Sequence, residues 1–189
     1  MKYDLERKSN RFAQRTLSAF SGSLFALLKK KPFEEITVNE LCKTCNYPRA
    51  TFYNYFEDIY DLLAYCWRLL AKEIHVDDYV KMQPDERLFV LFDRIYDFMT
   101  MQKKEISSIL RFNGLDGEMI HSFQQYLGEQ IFSIMKTCSC RDQYPVPYEL
   151  VAKHYSNTIL LIVEWGFLKG NCHSKESAIE YLKYLLNGV

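Results

Sequence analysis

Five residues within a seven-residue run, Arg49, Thr51, Tyr53, Asn54 and Tyr55, carry hydrogen-bond donors, and no acid lies among them. In a helix they separate from Phe52 and Phe56, which sit four apart and turn inward together. Donors gathered near a helix N-terminus suit phosphate oxygens and base edges, because the macrodipole, the free amides and the side chains all favour negative charge. Arg49 and Asn54 have the donor geometry for base edges, whereas Thr37, Thr51, Tyr53 and Tyr55 are better matched to phosphate. With Pro48 at the start of the run, these seven residues form the candidate contact set, and their chemistry is that of duplex DNA recognition.

The flanking residues must hold that face outward. Thr37 is placed as an N-cap and Glu40, three residues on, can reach back to the free donors, which predicts a capping box. Val38, Leu41, Cys42 and Cys45 then share one apolar face. The helix stops near Thr44, because Asn46 accepts a left-handed backbone and Pro48 biases Tyr47 away from α. Pro48 suits the first position of the next helix, predicted over roughly Pro48 to Phe56. Two short helices across such a turn make a helix-turn-helix. Upstream, a helix capped by Ser9 or Asn10 and running to about Lys30 presents Phe12, Leu17, Phe20, Leu24, Leu27 and Leu28 as a supporting stripe. Lys29, Lys30 and Lys31 fall at its end, where cations suit the dipole, and Pro32 stops it.

The run from Ile36 to Leu63 resembles the DNA-binding domain of the TetR family of transcriptional regulators. The likeness is carried by Ile36, Thr37, Val38, Arg49, Ala50, Thr51, Phe52, Tyr53, Tyr55, Phe56, Asp61, Leu62 and Leu63. Asn46 and Pro48 stand where that family usually has Gly and Ser, a change compatible with a turn. Ile59 stands where it often has a phosphate-binding Lys, so the resemblance implies fewer backbone contacts and a shallower salt dependence of binding. More weakly, Glu164-Trp165-Gly166, the stop at Gly170 and a short capped last helix resemble one subgroup of the family. The implied homodimer would join through about Tyr148–Lys169 and Ser174–Leu186 in a four-helix bundle.

Beyond the recognition segment the 3.6-residue period persists. Asp58 is a plausible cap for a long helix with Ile59, Leu62, Leu63, Cys66, Trp67, Leu70 and Ile74 on one stripe, the natural mechanical link to the remainder of the chain. Residues 76–84 read as a loop. Helices are then expected from Asp85 (Leu88, Leu91, Phe92, Ile95, Met99), over Ile106 to Leu110, and along Ile120, Phe123, Leu127, Ile131, Ile134 and Cys138. Asn113-Gly114 and Asp116-Gly117 mark a break. A helix from Pro147 carries Val151, Tyr155, Thr158, Ile162 and Trp165 on one face and Ile159, Leu161 and Val163 on others, so a partner subunit is expected to cover part of it. The fold class is all-α: a three-helix DNA-binding domain at 1–57 and a helical ligand-binding and dimerisation domain at 58–189.

Net charge is zero over 189 residues, but residues 1–58 hold ten Lys/Arg against seven Asp/Glu, a surplus of +3 at the end that would face DNA. With 48% apolar residues the chain is globular rather than disordered. No apolar core follows Met1-Lys2, and apolar runs such as Ile159 to Val163 are far short of the roughly 18 residues a membrane span needs. A cytoplasmic protein with reduced cysteines is expected, with no membrane partner. No Gly-rich phosphate loop, His-Glu-x-x-His or recognisable nucleophile motif supports an enzyme, and no cofactor is implied.

Phe98, Met99, Phe112, Phe123, Tyr126 and Trp165 are candidate linings for a small apolar ligand, though cores use the same side chains. The expected role is a dimeric repressor that reads a pseudo-palindrome and responds to a ligand. The alternative is an activator or adaptor whose C-terminal domain binds a protein co-regulator. Cys42 and Cys45 read as core thiols, and no metal site is assigned; Cys138, Cys140 and Cys172-His173 would serve a thiol or metal sensor only if they met in space.

Overall fold

Every regular element among the described residues is helical. The computed structural model describes residues 11–75, 84–136, 144–171 and 174–186, with the backbone alone at 84–87, 131 and 134–136. The caps expected at Ser9 or Asn10, the loop read at 76–83, and Cys138, Cys140, Cys172 and His173 lie outside the described residues, as do the side chains of Ile131, Ile134 and Met135. The helices are α1 (Arg11–Leu28), α2 (Val38–Cys45), α3 (Arg49–Tyr55), α4 (Ile59–Glu73), α5 (Pro84–Met101), α6 (Lys103–Leu110), α7 (Glu118–Lys136), α8 (Tyr148–Ile162) and α9 (Lys175–Leu186). A 3-10 turn, Phe33–Glu35, precedes α2, and a π-helical segment, Val163–Leu168, continues α8.

Two compact units result. The first is built on residues up to Leu70 together with Lys103–Ser122, the second on Ala71–Gln102 and the chain from Phe123 onward. In the first, Phe20 of α1 is fully buried and is the aromatic hub. Its ring lies 5.3 Å from Phe52 and 6.2 Å from Phe56, both edge-on, and 5.6 Å from Tyr47. The two phenylalanines of the recognition segment therefore pack on α1. Each such ring contributes about 1.5–3 kcal/mol by leaving water.

Lys31 and Lys29 do not project freely from the end of α1. Lys31 Nζ reaches both Glu40 oxygens at 2.6 and 2.7 Å, and Lys29 pairs with Glu105. Lys30 is the exposed member of the run. The end of α1 is finished by Asn113, which is 4% exposed. Its amide nitrogen donates to the Leu28 and Ile109 carbonyls at 2.8 and 3.0 Å and approaches Lys31 O at 3.5 Å; its oxygen accepts from Phe33 N–H at 2.8 Å. Helix ends leave such groups without intrahelical partners, and burying one unpaired costs about 1–3 kcal/mol. One side chain thus serves the ends of α1 and α6 and the start of the 3-10 turn.

The second unit is centred on Leu91, Phe92, Ile95, Ile159, Ile162, Ala178 and Leu182. Lys175 holds α9 to α5 through Asp93 at 2.7 Å and Asp97 at 2.9 Å, and those carboxylates, Asp93 first, raise the lysine's pKa. Ser174 Oγ accepts from Ser177 N–H at 3.2 Å, the expected cap of α9. Val151, Thr158 and Ile162 are buried as their spacing predicts, but Trp165 is 43% exposed. The π turn is the cause: an i to i+5 closure inserts a residue and rotates the positions beyond it out of the α register. Trp165 then meets Tyr181 edge-on at 5.9 Å, while Phe167 takes the inward position against Tyr96 at 5.6 Å.

Candidate nucleic-acid interface

The turn is built as its residues dictate. Thr37 caps α2 and accepts from Glu40 N–H at 3.3 Å, while Glu40 Oε2 accepts from Thr37 N–H at 3.2 Å and from its hydroxyl at 3.1 Å. Lys31, first among the causes, holds the Glu40 carboxyl below the usual glutamate range. Asn46 closes the helix at φ 56°, ψ 42°, and Tyr47 N–H bonds back to Cys42 O at 3.0 Å. Left-handed backbone suits Asn better than most non-glycine residues. Pro48 then serves as the N-cap of α3 rather than its first helical residue, its φ of −64° fixed by the ring.

On α3, Pro48, Arg49, Tyr53 and Asn54 are exposed and Thr51 is half-buried. Arg49 Nη2 donates to Tyr53 Oη at 3.3 Å and its guanidinium carbon lies 5.7 Å from the Tyr53 ring centroid. That bond further stabilises the charged guanidinium. The Phe52 and Tyr53 rings meet edge-on at 5.4 Å. The Arg49 and Tyr53 side chains are therefore presented as a paired set with part of their rotamer freedom already removed.

Two members of the expected set sit differently. Tyr55 is only 9% exposed and packs 6.4 Å from Phe56, because position 55 turns toward the inside of so short a helix. Thr37 is exposed, but its hydroxyl proton is committed to Glu40. The start of α4 adds no cation: Asp61 N–H bonds to Asp58 Oδ1 at 2.9 Å and Glu57 N–H to Asp61 Oδ2 at 3.0 Å, so the cap expected at Asp58 forms with acids on either side. Tyr60 of this turn is 49% exposed and lies edge-on to Phe33.

Cys42 is buried, and Cys45 donates to Leu41 O at 3.0 Å, which makes the pair a packing feature. Among the described residues no cluster of His, Cys, Asp or Glu could hold a metal ion. Of the ligand-lining candidates, Met99, Phe123 and Tyr126 are half-buried against the second unit's core, and Phe98 is half-buried on α5. Phe112 and Trp165 leave that set. Phe112 is 38% exposed beside Arg111 in the first unit, and Trp165 is turned outward by the π segment. A feature that periodicity did not single out is an open cleft on α1 lined by Arg11, Gln14, Arg15, Ser18 and Ala19, with two arginines in its wall.

Residues 24–66 match the family model described as bacterial regulatory proteins, tetR family. A sequence search among curated proteins finds no match. Among solved structures, the chain is similar to the transcriptional regulator FadR from Bacillus subtilis in complex with stearoyl-CoA. Identity is 12%, coverage 90% of this chain and 98% of that one, and the TM-score 0.62. It is also similar to NalD, the secondary repressor of the MexAB-OprM multidrug efflux pump in Pseudomonas aeruginosa, at 14% identity, 92% and 94% coverage and a TM-score of 0.56. A third is the triclosan complex of SmeT, from Stenotrophomonas maltophilia, at 11% identity, 89% and 90% coverage and a TM-score of 0.56. At these identities the likeness establishes a shared fold. The helix-turn-helix segment is thus of the TetR-family type, and the described residues share the all-helical fold of these solved regulators.

Proposed function

We propose that the chain is a cytoplasmic, homodimeric repressor that places α3 of each subunit in successive major grooves of a pseudo-palindromic operator. The observation that carries this reading is the exposed, acid-free face of α3, where Arg49 and Tyr53 are already paired. Arg49 and Asn54 are the base readers; Pro48, Thr51 and Tyr53 lie against the backbone, and Thr37 contributes mainly by capping α2.

The dimer reading is supported by Leu150 (58% exposed), Leu161 (55%), Trp165, Tyr181 and Tyr184 (65%) on α8, its π extension and α9. On α8, positions 150, 154, 157 and 161 recur at helical spacing, so the exposed apolar groups share a face with His154 and Asn157. A second copy of the same face is the self-complementary cover for it. The regulatory ligand is a small apolar molecule held in the second unit beside Met99, Phe123 and Tyr126. Stearoyl-CoA and triclosan, bound by two structural neighbours, are the first probes.

Selection of bound fragments from genomic DNA, followed by footprinting, tests the reading. Recovered sites should contain inverted repeats protected over two half-sites. Sedimentation should give a dimer. A monomer that recovers a stoichiometric protein co-regulator would replace the repressor by an adaptor.

A further inference from the structure

The segment between α5 and α7 comes from outside the helix-turn-helix in sequence, yet it belongs to the same compact unit. Two reciprocal contacts, eighty or more residues apart along the chain, hold it there. Asn113 leaves the segment to finish the α1 end and to accept from Phe33 N–H. The next residue, Glu34, returns the interaction, since its Oε1 accepts from Glu118 N–H at 3.0 Å at the first turn of α7. Between them, Gly117 N–H closes onto Gly114 O at 3.0 Å. A Cβ on Gly117 would lie 3.2 Å from Gly114 O and 3.5 Å from Glu34 Oε1, so the turn is fitted closely around the returning carboxylate. Lys29 and Glu105, and Trp67 Nε1 with Ser122 Oγ at 3.0 Å, add contacts on either side.

We propose that Asn113 and Glu34 are positioning residues forming one cooperative latch that sets the orientation of the helix-turn-helix for operator binding, with Phe33 and Glu118 amides as its two ends. The inference rests on the DNA-binding reading above, but one of its tests does not. The latch acts on the short connection Pro32–Ile36, between the α1 end and the cap of α2, and the inward packing of Phe33 against Tyr60 carries the constraint to the start of α4. This route is separate from the continuous helix α4. Any event that pulls 103–118 away removes the acceptor of Phe33 N–H and releases both ends together.

Amide hydrogen exchange on the full-length protein tests the latch without DNA. Glu34→Ala, at an exposed side chain, removes the accepting carboxylate and should leave the fold intact. It should also speed exchange at Phe33, whose own partner is untouched, and Asn113→Ala should likewise speed exchange at Glu118. Unchanged protection at the far end in Glu34→Ala would overturn the latch whatever the behaviour of the buried Asn113 variant.

Against operators whose half-sites are moved apart or together, wild type should prefer one spacing. Glu34→Ala should flatten that preference by at least about fivefold, the lower end of ordinary coupling between sites. An equal loss at every spacing would make the contact merely structural and would also overturn the proposal. If wild type selects no DNA at all, the repressor reading fails while the exchange result still decides the latch.

Discussion

At the scale of single residues the question is which donors meet DNA and which hold the protein together. Arg49 and Tyr53 are exposed, paired and outside the core, so Arg49→Ala and Tyr53→Ala should each weaken operator binding by about 1–3 kcal/mol. Both should leave the unfolding midpoint within the small range of surface changes, as parallel binding and thermal melts would show. Tyr55→Ala should behave in the opposite way, lowering the melting temperature because its ring is buried. The sequence could not separate Tyr53 from Tyr55. Both carry the same donor, and in a helix of two turns it is tertiary packing, such as that of Tyr55 beside Phe56, that decides which is inside. Thiol chemistry offers another residue-scale check. Cys66 has no exposed surface, and burial pushes its thiol up to about 12. Alkylation at pH 8 should therefore reach it only through unfolding, whereas half-buried Cys45 should label before it; rapid labelling of Cys66 in the native protein would contradict this packing.

Among the elements, α2 was the most legible from sequence, because a cap, a left-handed Asn and a Pro are local signals that tertiary packing had no reason to override. Thr37→Ala should cost about 1 kcal/mol through loss of that cap, measured by denaturant unfolding. The same element carries a pH dependence. The folded Glu40 pKa lies below its ordinary value of 4.5, mainly because of Lys31, so its contribution is complete above that value and fades as pH falls through the folded pKa. Amide protection at Glu40 should therefore drop on acidification below the ordinary glutamate range, and Lys31→Ala should shift the drop upward in pH. A drop at the same pH in both proteins would assign it to other carboxylates. The end of α8 was less legible. Periodicity placed Trp165 inside because it assumes 3.6 residues per turn, and nothing in Val163–Leu168 announces a π closure except Gly166, which is buried and small enough to allow tight packing.

For the whole molecule, the order of helices and most of the stripes of α1, α4 and α5 follow from spacing, although Phe12, selected by the α1 period, is 65% exposed at the helix start. The role of Asn113 does not. As Asn-Gly it reads as a simple break, and only a fold that brings it to Leu28 and Phe33 turns a loop residue into a buried junction. The exposed stripe on α8 and α9 is a whole-molecule property as well. Leu161→Asp should convert the dimer to monomer in sedimentation and remove high-affinity binding to full operators, because each α3 alone retains only half of the contacts. The most direct test of the account is the affinity of purified protein for its selected DNA, compared with the same DNA carrying one scrambled half-site. Binding that is strong and salt-dependent on the intact site, and at least about a hundredfold weaker on the scrambled one, is the expected result. Equal binding to both, or to neither at low salt, would contradict a paired reading of DNA by α3.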